Sequence, residues 1–332
     1  MPVAILPHHV RHAIQVQHFP VTPQTRRFQM IRKLLPTVAG ISVLFLVIAV
    51  ALASRVVHAQ VSMTATGLPD KGLILIGPAN PGFEEKAASV LNGRHDFTYE
   101  SLKPYSVILQ NNSHKAVVAY SVRWEYPAPK GQIGIWDQSF GQGSRLLDGG
   151  KRKTNPSDDK RGLTIDPGEW KLITPKSYIG SESKVTSEAL AADQGYRTYL
   201  ESVANRMGSS DLTVTLDGAF FEDGTFVGPD RVGYFDIFKA DVTARHDLMA
   251  RVVAAGKTGQ GLAQVASEIE SSLPASRKNE LHPGATPSDY YEYYKNVYAT
   301  EFLGVRNKLG DQGALGIAYF HSFEHPPVFK KD

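Results

Sequence analysis

YSVILQNNSHKAVVAYSVRWEY, residues 105–126, decides the architecture. Tyr105, Val107 and Leu109 skip by two, the pattern stops at Asn111–Lys115, and Val118, Tyr120, Val122, Trp124 and Tyr126 skip by two again. Successive side chains of a strand point to opposite sides of the pleat, so period two marks a strand with one buried face. Ala119, Ser121, Arg123 and Glu125 fall on the other face. Asn-Asn-Ser-His-Lys is turn-forming, and the stretch reads as a hairpin whose aromatics turn inward toward a second sheet.

Further strand candidates flank it: Gly72–Gly77, Ile133–Phe140 with Trp136, Leu163–Ile165, and Trp170–Thr174 after the turn Asp166-Pro167-Gly168. Leu212, Val214 and Leu216 alternate with Thr213, Thr215 and Asp217. Phe220-Phe221 runs into Glu222-Asp223-Gly224-Thr225 and Phe226-Val227, where Asp-Gly predicts a two-residue hairpin with positive φ at both central positions. Glu84–Leu91 reads as a short helix, Gly141–Lys160 as an exposed loop, and 187–207 as a helical insertion through Tyr196, Tyr199, Leu200 and Val203.

From about Asp230 the period changes to 3.6. Phe235, Phe238, Val242, Met249 and Val252 mark a helix ending at Gly256, and Leu262, Val265, Ile269 and Leu273 a second. A third has Thr286 as N-cap, Pro287 at the first position and Asp289 three after the cap. Its apolar face is Tyr291, Tyr294, Tyr298, Phe302, Val305 and Leu309, with Tyr290 and Tyr293 at the boundary and Gly310 closing it. Ala314–Phe323 reads as one last strand, and Pro326-Pro327 as the end of order. Strands first and helices after define an α+β chain, not a parallel sheet wound with helices.

Residues 103–174 resemble an immunoglobulin-like sandwich, through Asn111-Asn112-Ser113, the mid-sheet Trp124 and the turn Asp166–Glu169. The resemblance extends over 103–227 to uncharacterised exported bacterial proteins that carry a strand–Asn-x-Ser–strand unit and a Phe-x-Asp-Gly-Thr-Phe hairpin. It implies an antiparallel immunoglobulin-like β-sandwich and no particular activity. The cysteine pair of antibody-type domains is missing, because the chain has no cysteine.

The organisation expected is a basic tail over 1–33, a signal peptide or membrane anchor over 34–59, a β-sandwich over 60–228 and a helical region over 229–332 packed on it. The 332-residue chain has a net charge of +3, but residues 1–59 carry six Arg or Lys and no acid, so the rest stands at 3 − 6 = −3. The body therefore offers no footprint for nucleic acid. Leu34–Ser54 is 21 residues without a charge, long enough to span a bilayer, and Val57-His58-Ala59 suits signal peptidase, with Gln60 as the new terminus. Read from Met30, the segment is an ordinary signal peptide, and 1–29 is either a tail or an over-early start. Both readings place the body outside the cytoplasm, periplasmic or secreted, or held at the inner membrane by residues 34–54 if uncleaved.

Without cysteine there is no disulfide, thiolate site or cysteine nucleophile. Gly256-Lys257-Thr258 lacks the earlier glycine and the strand of a phosphate loop. His8, His9 and His12 precede the export signal, and His321-Ser-Phe-Glu324-His325 is not the metalloprotease order, so no metal and no cofactor are expected. Asp158, Asp159, Asp217, Glu222, Asp223, Asp230 and Asp236 are the available acids, with no pairing visible. Tyr290–Tyr298 reads as packing, as does Trp124. Trp136 is the candidate ligand-contacting aromatic. The expectation is an exported non-enzymatic binding or structural protein of the bacterial envelope, with an envelope protein or a glycan as partner. The alternative is an exported hydrolase acting on polysaccharide or peptidoglycan, its acids drawn from 141–160 and 221–230.

Overall fold

The computed structural model describes residues 61–148, 164–176, 187–208, 211–258, 261–274, 281 and 284–332. The tail, the apolar run 34–54, Ala59 and Gln60 lie outside them, as do His8, His9, His12, Asp158 and Asp159. Among the described residues no helix is long and apolar enough to cross a membrane.

The protein is a mixed α+β fold, and the described residues form two largely antiparallel sheets and no closed barrel. The strands are β1 (Met63–Thr66), β2 (Leu73–Ile76), β3 (Val107–Asn111), β4 (Val117–Ala128), β5 (Gln132–Gly141), β6 (Trp170–Ile173), β7 (Leu212–Phe221), β8 (Thr225–Val227) and β9 (Lys330–Lys331). The helices are α1 (Phe83–Leu91), α2 (Phe97–Leu102), α3 (Ser187–Ala192), α4 (Gln194–Met207), α5 (Tyr234–Thr258), α6 (Leu262–Ser272) and α7 (Pro287–His321). The smaller sheet runs β2-β3-β6 and the larger β5-β4-β7-β8-β9, with β1 also on β7. β1 beside β7 and β9 beside β8 are the parallel pairs.

The stretch 105–126 is not a hairpin. β3 pairs with β2 and β6, whereas β4 pairs with β5 and β7, so the chain crosses from one sheet to the other between them. The corner is built on Asn111, which is fully buried. Its Nδ2 donates to the carbonyls of Lys115 and Ile165, both at 2.8 Å, and its Oδ1 accepts from Ser113 N at 3.0 Å and Ser113 Oγ at 2.6 Å. A buried amide with both ends satisfied holds a tight turn without needing a partner strand.

The inward aromatics are as expected. Tyr105, Tyr120, Trp124 and Tyr126 join one buried cluster with Leu73, Leu75, Val107, Leu109, Ile173, Val214 and Leu216, so both sheets contribute to one core. Trp124 Nε1 donates to the Tyr105 carbonyl at 2.9 Å, which satisfies the indole inside the core. Two departures have clear causes. A bulge between Val117 and Ala119 turns Val117 into this core and Val118 to the other face. The outer faces are also partly dry: Ile108 is buried with Phe83, Ala87 and Tyr99 from α1 and α2, and Val118, Ala119, Phe220 and Phe226 lie beneath Tyr234, Phe238 and Val242 of α5.

The Phe221–Phe226 turn differs from the expectation at one position. Gly224 has φ 78°, but Asp223 does not have positive φ. Gly224 N donates to the Phe221 carbonyl at 2.9 Å, and Asp223 Oδ1 accepts from Thr225 N at 3.1 Å. A turn followed by one left-handed glycine closes the loop.

Gly141–Lys160 does not stay out in solvent over its described part, since Gly143, Arg145 and Leu146 are buried beside α5. α5 continues through Gly256 to Thr258. The α7 capping box on Thr286 and Asp289 is present. Tyr293, expected at the boundary, is buried, and Leu309, expected on the apolar face, is exposed. Gly310, at φ 69°, leaves helical geometry and breaks α7 there as expected, but a helix resumes after it, so Ala314–His321 is helix and not strand. Nor do the prolines end order: Lys330–Lys331 lie parallel to Thr225–Phe226.

Candidate functional site

The larger sheet has an outer face that α5 covers at one end only. Toward the other end, β4 and β5 place Arg123 opposite Asp137, Glu125 opposite Ile135 and Pro127 opposite Ile133. β7 adds Thr215 beside Arg123. The third acid arrives through a second bulge: Ser121 pairs with Gly218 and Val122 with Leu216, so Asp217 has no residue opposite it. Bulges re-aim a side chain, and this one aims a fully buried carboxylate at the start of α5. Asp217 Oδ2 accepts from Val232 N at 3.1 Å, while Oδ1 has no hydrogen-bond partner among the described residues.

Arg123 organises this shelf. Its Nε donates to Glu125 Oε1 at 2.8 Å and its Nη1 lies 3.6 Å from Asp137 Oδ1. Arg231 Nη1, from the approach to α5, reaches Glu125 Oε1 at 3.5 Å. Burial pushes the Asp137 carboxyl above its ordinary value; Arg123 pulls it back, and Asp217 and Glu125 push it further up. Behind it, Ser139 Oγ donates to the buried Ser121 Oγ at 3.0 Å. Beyond it the face turns apolar and wet: Ile133 is 69% exposed and Ile135 48%.

β5 is also the last strand on its side of the sheet. All ten of its residues pair with β4, and among the described residues no strand pairs on the other side. Trp136 lies on the inner face opposite Trp124, half-buried against the core between the sheets. Gly134 leaves room for Tyr126, whose ring a Cβ at that position would meet at 2.2 Å. Trp170 lies under Lys86 Nζ, 4.2 Å from its ring centroid.

The remaining candidates disperse. Asp223 Oδ2 accepts from Lys115 Nζ at 2.6 Å, and Glu222 Oε1 from Ala116 N at 3.2 Å. Asp230 binds Phe235 N at 3.1 Å and Lys331 Nζ at 2.7 Å. Asp236 lies in the first turn of α5, and Gly256-Lys257-Thr258 in its last. His321 ends α7, and the backbone amides of Glu324 and His325 donate to the Asp148 carboxylate. No group of three His, Asp or Glu able to hold a metal occurs among the described residues.

A second ionisable cluster joins α5 to α7. Tyr298 donates to Asp241, and Arg245 donates to Tyr298 while lying 3.4 Å from Asp241. Burial pushes the Tyr298 hydroxyl and the Glu301 carboxyl up, and the Arg245 charge pulls both back. Tyr298 bridges Asp241 and Arg245 across a helix–helix contact, which is a packing role.

Sequence reasoning named Asp217 but missed Arg123, Asp137, Ile133 and Ile135. The Ile-Gly-Ile-Trp-Asp alternation was a usable signal, because it sets two isoleucines and an acid on one face. Comparison with protein-family models, with curated proteins and with solved structures returns no match.

Proposed function

We propose that the chain is an exported, non-enzymatic protein of the bacterial envelope that works by binding, and that its binding edge is β5. The export part rests on the leader, with Ala59 and Gln60 at the cut. The binding part rests on one observation: a ten-residue edge strand that pairs on one side only among the described residues and carries exposed isoleucines. Proteins blunt such edges because they recruit other strands, and binding modules use them to add a partner strand. Trp136 sits on the same strand and would be covered by such a partner.

An immunoglobulin-like assignment draws support from strand order. Taking β2, β3, β4, β5, β6, β7 and β8 as A, B, C, C′, E, F and G groups them as A-B-E and C′-C-F-G, with the buried Trp124 on C. β7, in the F position, carries no tyrosine.

The hydrolase alternative has one observation in its favour, the raised Asp137 beside Asp217. A catalytic carboxylate must touch substrate, and Asp217 has no exposed surface. The test is amide hydrogen exchange of the mature protein alone and with detergent-solubilised envelope. Protection gained over 132–141 is the expected result. Release of sugar from purified envelope polysaccharide or peptidoglycan, lost on Asp137→Asn, overturns it in favour of the hydrolase. Terminal sequencing of exported protein should begin at Gln60.

A further inference from the structure

The proposed binding edge has a charge pattern that specifies its occupant, and the inference drawn from it rests on the binding reading above. Glu125, Asp137 and Asp217 meet two guanidiniums, Arg123 and Arg231, so among the described residues three negative charges against two positive leave one carboxylate in excess. Asp217 cannot take up that deficit from solvent, being fully buried, with Oδ1 unpartnered among the described residues. Asp137 can, because its side chain is 33% exposed on the edge strand itself.

The opposite side of the same sheet supplies the precedent. There the edge strand β8 is covered by β9, an extended segment of this chain. Lys331 of that segment places Nζ 2.7 Å from Asp230, whose side chain is 4% exposed, and Phe329 sets its ring edge-on to Phe220 at 6.0 Å. The sheet thus closes an edge with an aromatic-and-lysine strand laid against a largely buried aspartate. β5 offers the matching half: two exposed isoleucines, then an aspartate in a shelf with excess negative charge.

We infer that the β5 edge receives an extended peptide segment of a partner protein whose outward face presents two apolar side chains over Ile133 and Ile135 and a lysine or arginine against Asp137. Backbone pairing supplies the affinity, and the cation supplies the register, since a slip of one residue would turn it away from the shelf.

The test uses the full mature chain and an array of eight-residue synthetic peptides alternating valine and threonine. One valine-face position at a time is replaced by lysine, glutamate or serine, and one series is N-methylated on alternate amides. Binding is read by fluorescence anisotropy and by exchange protection at 132–141. The expected result is protection by the best lysine peptide with about tenfold preference over its glutamate counterpart, abolished by N-methylation and levelled by Asp137→Asn, with Asp137→Ser as the second variant. Protection by lysine and glutamate peptides alike overturns the cationic partner and leaves the binding edge standing. No protection by any peptide overturns both.

Discussion

The larger sheet has two edges, and they are treated differently. At β8 the edge is short, three residues, and it is sealed: β9 lies along it, Lys331 is locked on Asp230, and Lys71 reaches Asp332 at 2.6 Å. Gly224 is required there, because a Cβ would stand 1.9 Å from the Val328 carbonyl. At β5 the edge is ten residues long, and among the described residues only β4 pairs with it. The difference separates what the fold needs from what it offers. The sealed edge is part of the core, and the open edge is surface that carries two exposed isoleucines.

That contrast breaks most visibly through packing. Phe226 on β8 is fully buried, so Phe226→Ala is expected to cost about 3–5 kcal/mol in urea unfolding. Ile135→Ala on β5 is expected to change stability by less than about 1 kcal/mol, since the side chain is 48% exposed. Equal losses would mean that the two edges are not different in kind. A smaller effect comes from Gly224→Ala, about 1–2 kcal/mol for the left-handed conformation alone, with exchange protection at 324–332 lost as the neighbouring carbonyl is pushed away. If protection there persists, the seal does not depend on that close approach.

How far the sequence could show this contrast differs between scaffold and site. Tyr120–Tyr126 was legible because one buried face imposes period two, and α7 because Thr286, Pro287 and Asp289 form a local cap. The corner after β3 was not: Asn-Asn-Ser is equally good hairpin chemistry, and what decides against a hairpin is the bond from Asn111 to Ile165, 54 residues away. Val118 escaped because a bulge resets the period, and Ala314–His321 because nothing local says that a helix resumes beyond a glycine kink. The shelf was illegible for a related reason. Arg123, Asp137 and Asp217 come from three strands and meet only through register, and Asp217 reaches its place only through a bulge. Ile133 and Ile135 have core-like spacing, and only their position at an edge leaves them wet.

The smallest expected effect sharpens the comparison through pH. The Asp137 carboxyl is raised in the fold by burial and by Asp217 and Glu125, so the folded state prefers it protonated. The stability that goes with protonation is complete below the ordinary carboxylate range and is lost as pH rises through the raised folded value. Asp137→Asn should therefore stabilise the protein at pH 7 by a few tenths of a kcal/mol, solvent screening keeping the figure small, and by nothing at pH 3. Thermal melts at the two pH values check the sign. A variant less stable at pH 7 than at pH 3, relative to the parent, would make Asp137 a structural partner of Arg123 and remove it from the binding shelf.

The central claim is that β5 is where another chain docks, and site-specific photo-crosslinking in cells tests it most directly. A benzophenone side chain is placed at Ile135 on the open edge and, separately, at Lys330 on the sealed one. The account predicts a discrete higher-mass adduct from position 135, weakened on Asp137→Asn, and none to a second protein from position 330. Adducts from 330 with none from 135 would contradict it.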